Sequence, residues 1–393
     1  MKIAGVRTKL YEIEMKRRLG DANSPTGRKR AASLVVFIDT DEDITGISLG
    51  SPGARGCIQS MVEDLLLGRD PREVRGLWKR MVDSVFKGGN RGIANDALSA
   101  IDVALWDLKA KARGEPLWKT LGASTRRVKA YASGIDMPLS DEELQGFYDG
   151  MSGRGVSAGK LKVGLERETD LRRIGIMKEA LSKSGKKPVL LIDANEYWSP
   201  KQAIRNIRCI EEHYEITWAE EPARRWDYRG LRKVSQNIRA AVATGENLDE
   251  ISEFTPLIAN EAVDVVEIGS GTSGITGAMQ VADLAYAFEL PVSMMNCPGN
   301  YMAHLAAALP NHMMMEVVDV GIDAFMQVDN RIEDGWIVLG DSSGLGITID
   351  EKKLERFLVE KPSPEAGSNP WRRRRGAGLY EVPSDEPEET DEE

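Results

Sequence analysis

Disulfide chemistry is nearly excluded by scarcity. The chain carries 3 cysteines in 393 residues, Cys57, Cys209 and Cys297, with neither the number nor the spacing of a disulfide framework or a zinc site. Histidine is equally rare: His213, His304 and His312 are the whole supply. No apolar run approaches the ~20 residues that cross a bilayer, and Met1-Lys2-Ile3 opens no leader-like stretch. The expected setting is therefore reducing and cytoplasmic, with no membrane partner. A strong charge of one sign is missing as well. The formal net charge is −10, but Glu381 to Glu393 hold eight acids and no base, and the rest of the chain is close to neutral. Nucleic acid and anionic membranes are thus not expected partners.

What is present is an ordinary soluble composition, 41% hydrophobic and 29% charged, in a chain long enough for more than one domain. Residues 1–50 read as strands: Ile3 to Ile13 alternates loosely, and Ala32 to Thr40 is strongly β-prone. Between them, Arg17 to Arg30 reads as a polar loop that includes Arg17, Arg18, Arg28, Lys29 and Arg30. It is either a solvated loop or a mobile flap that offers guanidinium groups to an anionic ligand. From Pro52 to Gly122 the pattern is helical, and the best helix is expected to begin with Asn95 as N-cap. Strands followed by helices suggest a small α+β domain over 1–125. At Arg127 the grammar changes. Strands are expected near 128–133, 159–164, 188–193, 216–220, 240–245, 263–268, 291–295 and 312–317, separated by helices such as 170–184, 200–213, 274–289 and 302–309. Eight strands alternating with helices over 126–320 argue for a (β/α)₈ barrel. A hairpin near Trp336 and a helix from Glu351 to Leu358 follow in a segment, 321–361, that returns toward the first domain. Residues 362–393, with Arg372 to Arg375, read as a disordered acidic tail.

The chemistry gathers in one stretch. Asp193, Glu220 and Glu246 each follow a short apolar run, in Leu190-Leu191-Ile192-Asp193-Ala194-Asn195, Trp218-Ala219-Glu220-Glu221-Pro222 and Thr244-Gly245-Glu246-Asn247. They lie 27 and 26 residues apart, the period of one βα unit. One such acid would be read as a cap on the following helix. Three at equal spacing converge at the C-terminal mouth of a barrel and favour a hard cation, Mg²⁺ before Mn²⁺. Lys160 and Lys162 lie two apart on the preceding strand and take the same inward face. They are either structural partners of Asp193 and Glu220, or a cation nearby lowers the pKa of Lys162 and makes it a base. A base beside Mg²⁺ suits removal of the proton α to a carboxylate, where the charge of an enediolate must be stabilised.

These residues resemble the enolase superfamily, in its mandelate racemase/muconate lactonizing enzyme branch. The resemblance spans roughly residues 1–360. It rests on Ala100-Ile101-Asp102-Val103-Ala104-Leu105-Trp106-Asp107-Leu108-Lys109, Lys160-Leu161-Lys162, Asp193-Ala194-Asn195, Trp218-Ala219-Glu220-Glu221-Pro222, Gly245-Glu246-Asn247 and Gly274-Ile275-Thr276-Gly277. It implies an α/β fold, a modified (β/α)7–8 TIM barrel under an N-terminal α+β capping domain that C-terminal residues complete. It also implies a homo-oligomer. By position Asp193, Glu220 and Glu246 resemble the Mg²⁺ ligands, Lys162 the base and Lys160 the contact to a small carboxylate substrate. Glu316 resembles a carboxylate-binding acid, and the Arg17–Arg30 loop resembles the specificity loop, which brings in Arg17 and Arg28. Asn296 joins the catalytic candidates, and Asn195, Cys297 and Tyr301 the substrate-binding ones. A lysine base beside Mg²⁺ is an arrangement already known from this superfamily.

Two departures bear on the reaction. Relatives place Asp, or in one subgroup Lys, after the sixth barrel strand and His after the seventh. Here the sixth ends Val266-Glu267-Ile268-Gly269-Ser270-Gly271 and the seventh Ser293-Met294-Met295-Asn296-Cys297-Pro298, while His304 on the next helix reads as structural. Racemisation needs competent groups on both faces of the substrate, whereas loss of water can proceed from one face with Lys162 as base. Dehydration of a sugar acid to a 2-keto-3-deoxy acid is therefore the leading expectation. A racemase or epimerase using Cys297, Tyr301 or Glu267 as second group, a one-base cycloisomerase, and a non-catalytic acid-binding protein are the alternatives. The last has no evident need for a base beside a cation.

Overall fold

The computed structural model describes residues 1–321 and 324–366. The chain opens with an antiparallel sheet of β1 (Ile3–Leu19), β2 (Arg28–Thr40) and β3 (Thr45–Gly50). The β1–β2 ladder continues past Glu14↔Arg30 to Leu19↔Arg28, so the connection is only residues 20–27. The polar loop expected over Arg17–Arg30 is thus strand at both ends and loop only over 20–27. Its charges are tied across the ladder instead of being presented to a ligand: Arg30 pairs with Glu12 and Lys29 with Glu14.

Helix Ile93–Ala112 packs against this sheet. Its N-cap is Gly92, not Asn95. The Asn95 side chain is buried and donates at 2.6 Å to the carbonyl of Gly271 while accepting from Ser273 at 2.8 Å. A good capping residue has been taken for a tertiary contact between the two halves of the molecule. Farther along the same helix Asp107 accepts from the Ile47 amide at 2.8 Å and the Leu345 amide at 2.7 Å. One carboxylate thereby joins both ends of the chain. The returning segment also pairs Tyr11 with Leu358 and stacks Phe325 between Tyr11 and Phe357.

Eight parallel strands follow: β4 (Arg127–Ser133), β5 (Ala158–Lys162), β6 (Val189–Asp193), β7 (Ile216–Glu220), β8 (Ala241–Thr244), β9 (Val265–Ile268), β10 (Val292–Met294) and β11 (His312–Val317). The pairing Glu316↔Tyr131 closes them into a barrel. All eight expected strands exist, with ends that agree or differ by one or two residues, the usual uncertainty of a strand boundary. The helix expected at 302–309 shrinks to Ala303–Ala306. After β12 (Met326–Val328), β13 (Asn330–Glu333) and β14 (Trp336–Leu339) form the hairpin around Trp336, and β15 (Ile347–Ile349) pairs with β12. The hairpin adds to the barrel, since β14 runs antiparallel beside β4. The start of the expected disordered tail is anchored, because Ser363 donates to the buried Glu12 carboxylate at 2.7 Å. The remainder, with Arg372 to Arg375, lies outside the described residues. No helix of the described residues is long and apolar enough to cross a membrane.

Strand alternation sorts the barrel interior into layers. Tyr131, Ala158, Leu191, Trp218, Ala243, Val265 and Met314 fill an apolar layer, with Tyr131 edge-on to Trp218 at 5.3 Å. Two residues farther along the strands the inward positions become Ser133, Lys160, Asp193, Glu220, Glu267 and Glu316. Packed apolar side chains below thus support a polar layer at the strand C-termini.

Candidate active site at the barrel mouth

Register brings the candidate groups together. β5 and β6 pair Lys162 with Asp193, and β6 and β7 pair Asp193 with Glu220. The Lys162 ammonium donates to Asp193 and, at 2.6 Å, to the side-chain oxygen of Asn195. Lys160, 1% exposed, pairs with Glu220, lies 2.9 Å from Glu316 and reaches Asp193 at 3.5 Å. Glu316 in turn accepts from the Asn296 amide nitrogen of its side chain at 2.6 Å. Lys160, Lys162, Asp193, Asn195, Glu220, Asn296 and Glu316 therefore form one connected network. The pairing of both lysines is the structural reading of the sequence, and here it holds for Lys162 as well as Lys160.

The charges explain one another. Burial opposes the Lys162 ammonium most strongly, but Asp193, helped by Glu246 and Glu220, holds its pKa above the usual lysine value. Burial likewise opposes Lys160, and Glu220 with Glu316 keeps it charged. Asp193 is pushed up by burial and drawn down to about 2 by Lys162 and Lys160. Glu316 also ends at about 2, with Lys160 the largest force against burial. Glu220 stands well above the carboxylate range through burial and the Asp193 charge. Half-buried Glu246 is pushed to about 6, burial exceeding the pull of Lys162 and Lys160. Four carboxyl groups thus share two ammoniums, and those left over are forced toward protonation.

A hard divalent cation fits this surplus. The donor set is all oxygen, supplied by Asp193, Glu220 and Glu246 from adjoining strand ends. Beside it Glu221 keeps one buried oxygen with no partner, and the buried Glu267 has none except neighbouring Glu220. The three acids are spread around the ammoniums. Among the described residues, the set of His, Cys, Asp and Glu donors that closes to within 4.8 Å lies elsewhere, at Cys209, Glu212 and His213.

The other candidates stand apart from the network. Arg17 donates at 3.2 Å to the carbonyl of Gly134 and at 2.9 Å to that of Asp319, and its guanidinium covers Phe147. It fastens the ends of β4 and β11. Arg28 lies at the base of the hairpin with the Ala366 carbonyl 3.4 Å away. Both arginines were expected to face a ligand, and strand pairing directs them elsewhere. Cys297 accepts from the Met302 amide at 3.2 Å, and burial pushes its thiol up to about 12, so it is an inert group. Tyr301, 2% exposed, lines a cleft of about 240 Å³ between the sheet and the loop at Ser270. Buried His304 accepts from the Trp118 amide at 3.1 Å, as a structural histidine does. A larger cleft of about 610 Å³ opens beside the network, not over it, and shares Asn296 as a wall.

The residue that sequence reasoning missed is Asn23. It sits in the turn 20–27, held by an Asp21 side chain that caps the Asn23 and Ser24 amides. Its side chain donates at 2.9 Å to the carbonyl of Asn195. The hairpin tip therefore reaches the mouth through a neutral amide that bonds two residues beyond Asp193, an expected metal ligand. A short polar turn has no periodicity to announce this contact.

Comparison with known proteins gives consistent matches. Residues 9–122 match the family described as mandelate racemase/muconate lactonizing enzyme, N-terminal domain, and residues 148–353 match the enolase C-terminal domain-like family. A 3,6-anhydro-alpha-L-galactonate cycloisomerase of Streptomyces coelicolor is 30% identical over 91% of this chain and 99% of its own. An L-talarate/galactarate dehydratase of Salmonella typhimurium is also 30% identical, over 89% and 90%. A crystal structure of the Salmonella dehydratase liganded with Mg and L-lyxarohydroxamate superposes with a TM-score of 0.81 at 27% identity, covering 91% of this chain and 93% of that one.

Proposed function

The chain belongs to the mandelate racemase/muconate lactonizing enzyme family of the enolase superfamily, and from that premise we propose that it is a Mg²⁺-dependent lyase that dehydrates a sugar acid to a 2-keto-3-deoxy acid. The observation that carries the reading is the one-sidedness of the mouth. Lys162, held by Asp193 and Asn195, stands on one side. Across from it the ends of β9 and β10 present Gly269, Ser270, Met295 and Asn296; Asn296 is committed to Glu316, and the acid of β9, Glu267, is fully buried beside Glu220. Proton removal and water loss on one face need no second base.

In this reading Asp193, Glu220 and Glu246 hold the cation. When bound, Mg²⁺ supplies fixed positive charge for the substrate carboxylate oxygens as their charge grows. The remaining work falls to the chain. Lys162 must be neutral to accept the α-proton. Its ammonium is stabilised by Asp193, so engaging Asp193 as a metal ligand removes that counter-charge and lowers the lysine pKa toward use as a base. Lys160 offers its ammonium to the substrate carboxylate, and Glu316, ionised and bonded to Asn296, fixes where that ammonium points. Asn195 fixes the Lys162 side chain. The hairpin tip at Asn23 closes the mouth from above.

A cycloisomerase is the second reading, since the Streptomyces relative carries that name and such a reaction can also begin from one face. The test is a library of aldonic and aldaric acids assayed for 2-keto product in D₂O, with Lys162→Ala as control. A 2-keto-3-deoxy product that disappears in the control supports dehydration. Stereo-inverting deuterium uptake into recovered acid with no keto product overturns it in favour of a racemase. A product isomeric with the substrate moves the assignment to the cycloisomerase.

A further inference from the structure

A second group of ligating side chains lies at the opposite end of the barrel. Helix Pro200–Glu211 follows β6, and its C-terminus precedes β7 by a few residues, so it ends beneath the N-terminal edge of the strands. There Cys209 Sγ, a Glu212 carboxylate oxygen and a ring nitrogen of His213 all lie within 4.8 Å of one another. The spacing is i, i+3 and i+4 on one helical turn, which sets three side chains on one face. The helix ends at Glu211 with Glu212 as its C-cap, and a turn carries on to His213: the Glu212 amide donates to Arg208 at 3.1 Å and the His213 amide to Ile210 at 3.0 Å. Cys209 is half-buried and carries no disulfide, while Glu212 and His213 are exposed.

We propose that Cys209, Glu212 and His213 form a binding site for Zn²⁺ or a similar borderline divalent metal, with the fourth coordination position open. The donor chemistry is opposite to that of the barrel mouth. Thiolate and imidazole select zinc, cobalt or copper over magnesium, and an all-oxygen set does the reverse. One chain thus sorts two metals by ligand softness. The geometry is close to closure. Bond lengths of ~2.0–2.3 Å around tetrahedral zinc place ligand atoms about 3.4–3.6 Å apart. The three atoms need therefore draw together by no more than about 1.4 Å, which the rotamer freedom of the exposed Glu212 and His213 side chains allows. The cysteines alone show no zinc spacing. The histidine four residues beyond Cys209 supplies it, once the helix places both on one face. The bound ion would staple the last helical turn just before β7 begins.

Cobalt spectroscopy on the full chain tests this independently of the reaction at the mouth. The protein is saturated with Mg²⁺ to occupy the carboxylate site and titrated with Co²⁺. Saturation at one equivalent with a thiolate-to-cobalt charge-transfer band is expected. Equimolar Zn²⁺ should remove the band, and Cys209→Ser and His213→Ala should each abolish it, with turnover and Mg²⁺-bound melting temperature unchanged. A saturable band that survives in both variants belongs to another cysteine and overturns the proposal. So does binding with no thiolate band, or a signal that grows without saturating.

Discussion

The Lys162 ammonium lies 2.6 Å from the side-chain oxygen of Asn195. Asn195 occupies the left-handed region at φ 43, uncommon for a residue with a side chain, and its own amide is held by Asp193 at 2.8 Å. A strained position that directs one oxygen at a buried lysine is the kind found at working sites. If Lys162 is the base, Lys162→Ala lowers kcat by roughly 10²- to 10⁴-fold, the usual worth of a positioned general base. The measurement is the rate of 2-keto acid formation, with circular dichroism to show that the barrel remains folded. Retained activity in a folded variant would retire Lys162 from this role.

Metal dependence follows from the surplus of carboxyls. Removing divalent ions with a chelator is expected to abolish turnover, and Mg²⁺ should restore it. Because the ion binds the folded chain, Mg²⁺ at ~100 times its Kd adds about 2.7 kcal/mol of stability. In a chain of this size that raises Tm by several degrees. Glu246→Gln removes one donor and should remove most of that rise. A Tm shift unchanged by Glu246→Gln would place the ion elsewhere.

Much of this was legible because strands and helices write periodic signals. Alternation in Lys160-Leu161-Lys162 put both ammoniums inside the barrel, and apolar runs before Asp193, Glu220 and Glu246 marked strand ends. Two separately noticed motifs prove to be one contact: Asp102 accepts from the backbone and hydroxyl of Thr276 at 2.8 and 2.7 Å, docking the capping helix on the helix after β9. The misreadings share a cause. Asn95 has the chemistry of a cap, yet its partners Gly271 and Ser273 lie some 176 and 178 residues away. Arg17 and Arg28 look like ligands for an anion until strand register assigns them to backbone carbonyls. Long-range pairing overrides what a local segment suggests.

The hairpin tip separates these readings by experiment. Asn23 contributes one hydrogen bond to the Asn195 carbonyl, worth about 1 kcal/mol. Asn23→Ala is expected to raise KM about fivefold with little change in kcat. Arg28→Ala should leave KM unchanged, its guanidinium being exposed at the hairpin base. Arg17→Ala should lower Tm instead, since it unfastens β4 from β11. A large KM effect from Arg28→Ala with none from Asn23→Ala would restore the arginine flap.

His304 sets a pH limit on the fold. It is 1% exposed, and its Nδ1 accepts from the Trp118 amide, which requires the neutral ring. Burial lowers its pKa from 6.5 to about 4. The folded pKa is below the unfolded one, so this contribution is complete above pH 6.5 and is lost as pH falls through 4. Over that window the unfolded chain binds a proton the folded chain refuses, which removes roughly 3 kcal/mol. His304→Asn eliminates the titrating group. Its denaturant-derived stability should start lower at pH 7, through the lost packing, yet fall less steeply between pH 6.5 and 4 than the parent's. Parallel slopes in the two proteins would mean that His304 is already charged in the folded state, and the Trp118 contact would then have to be broken.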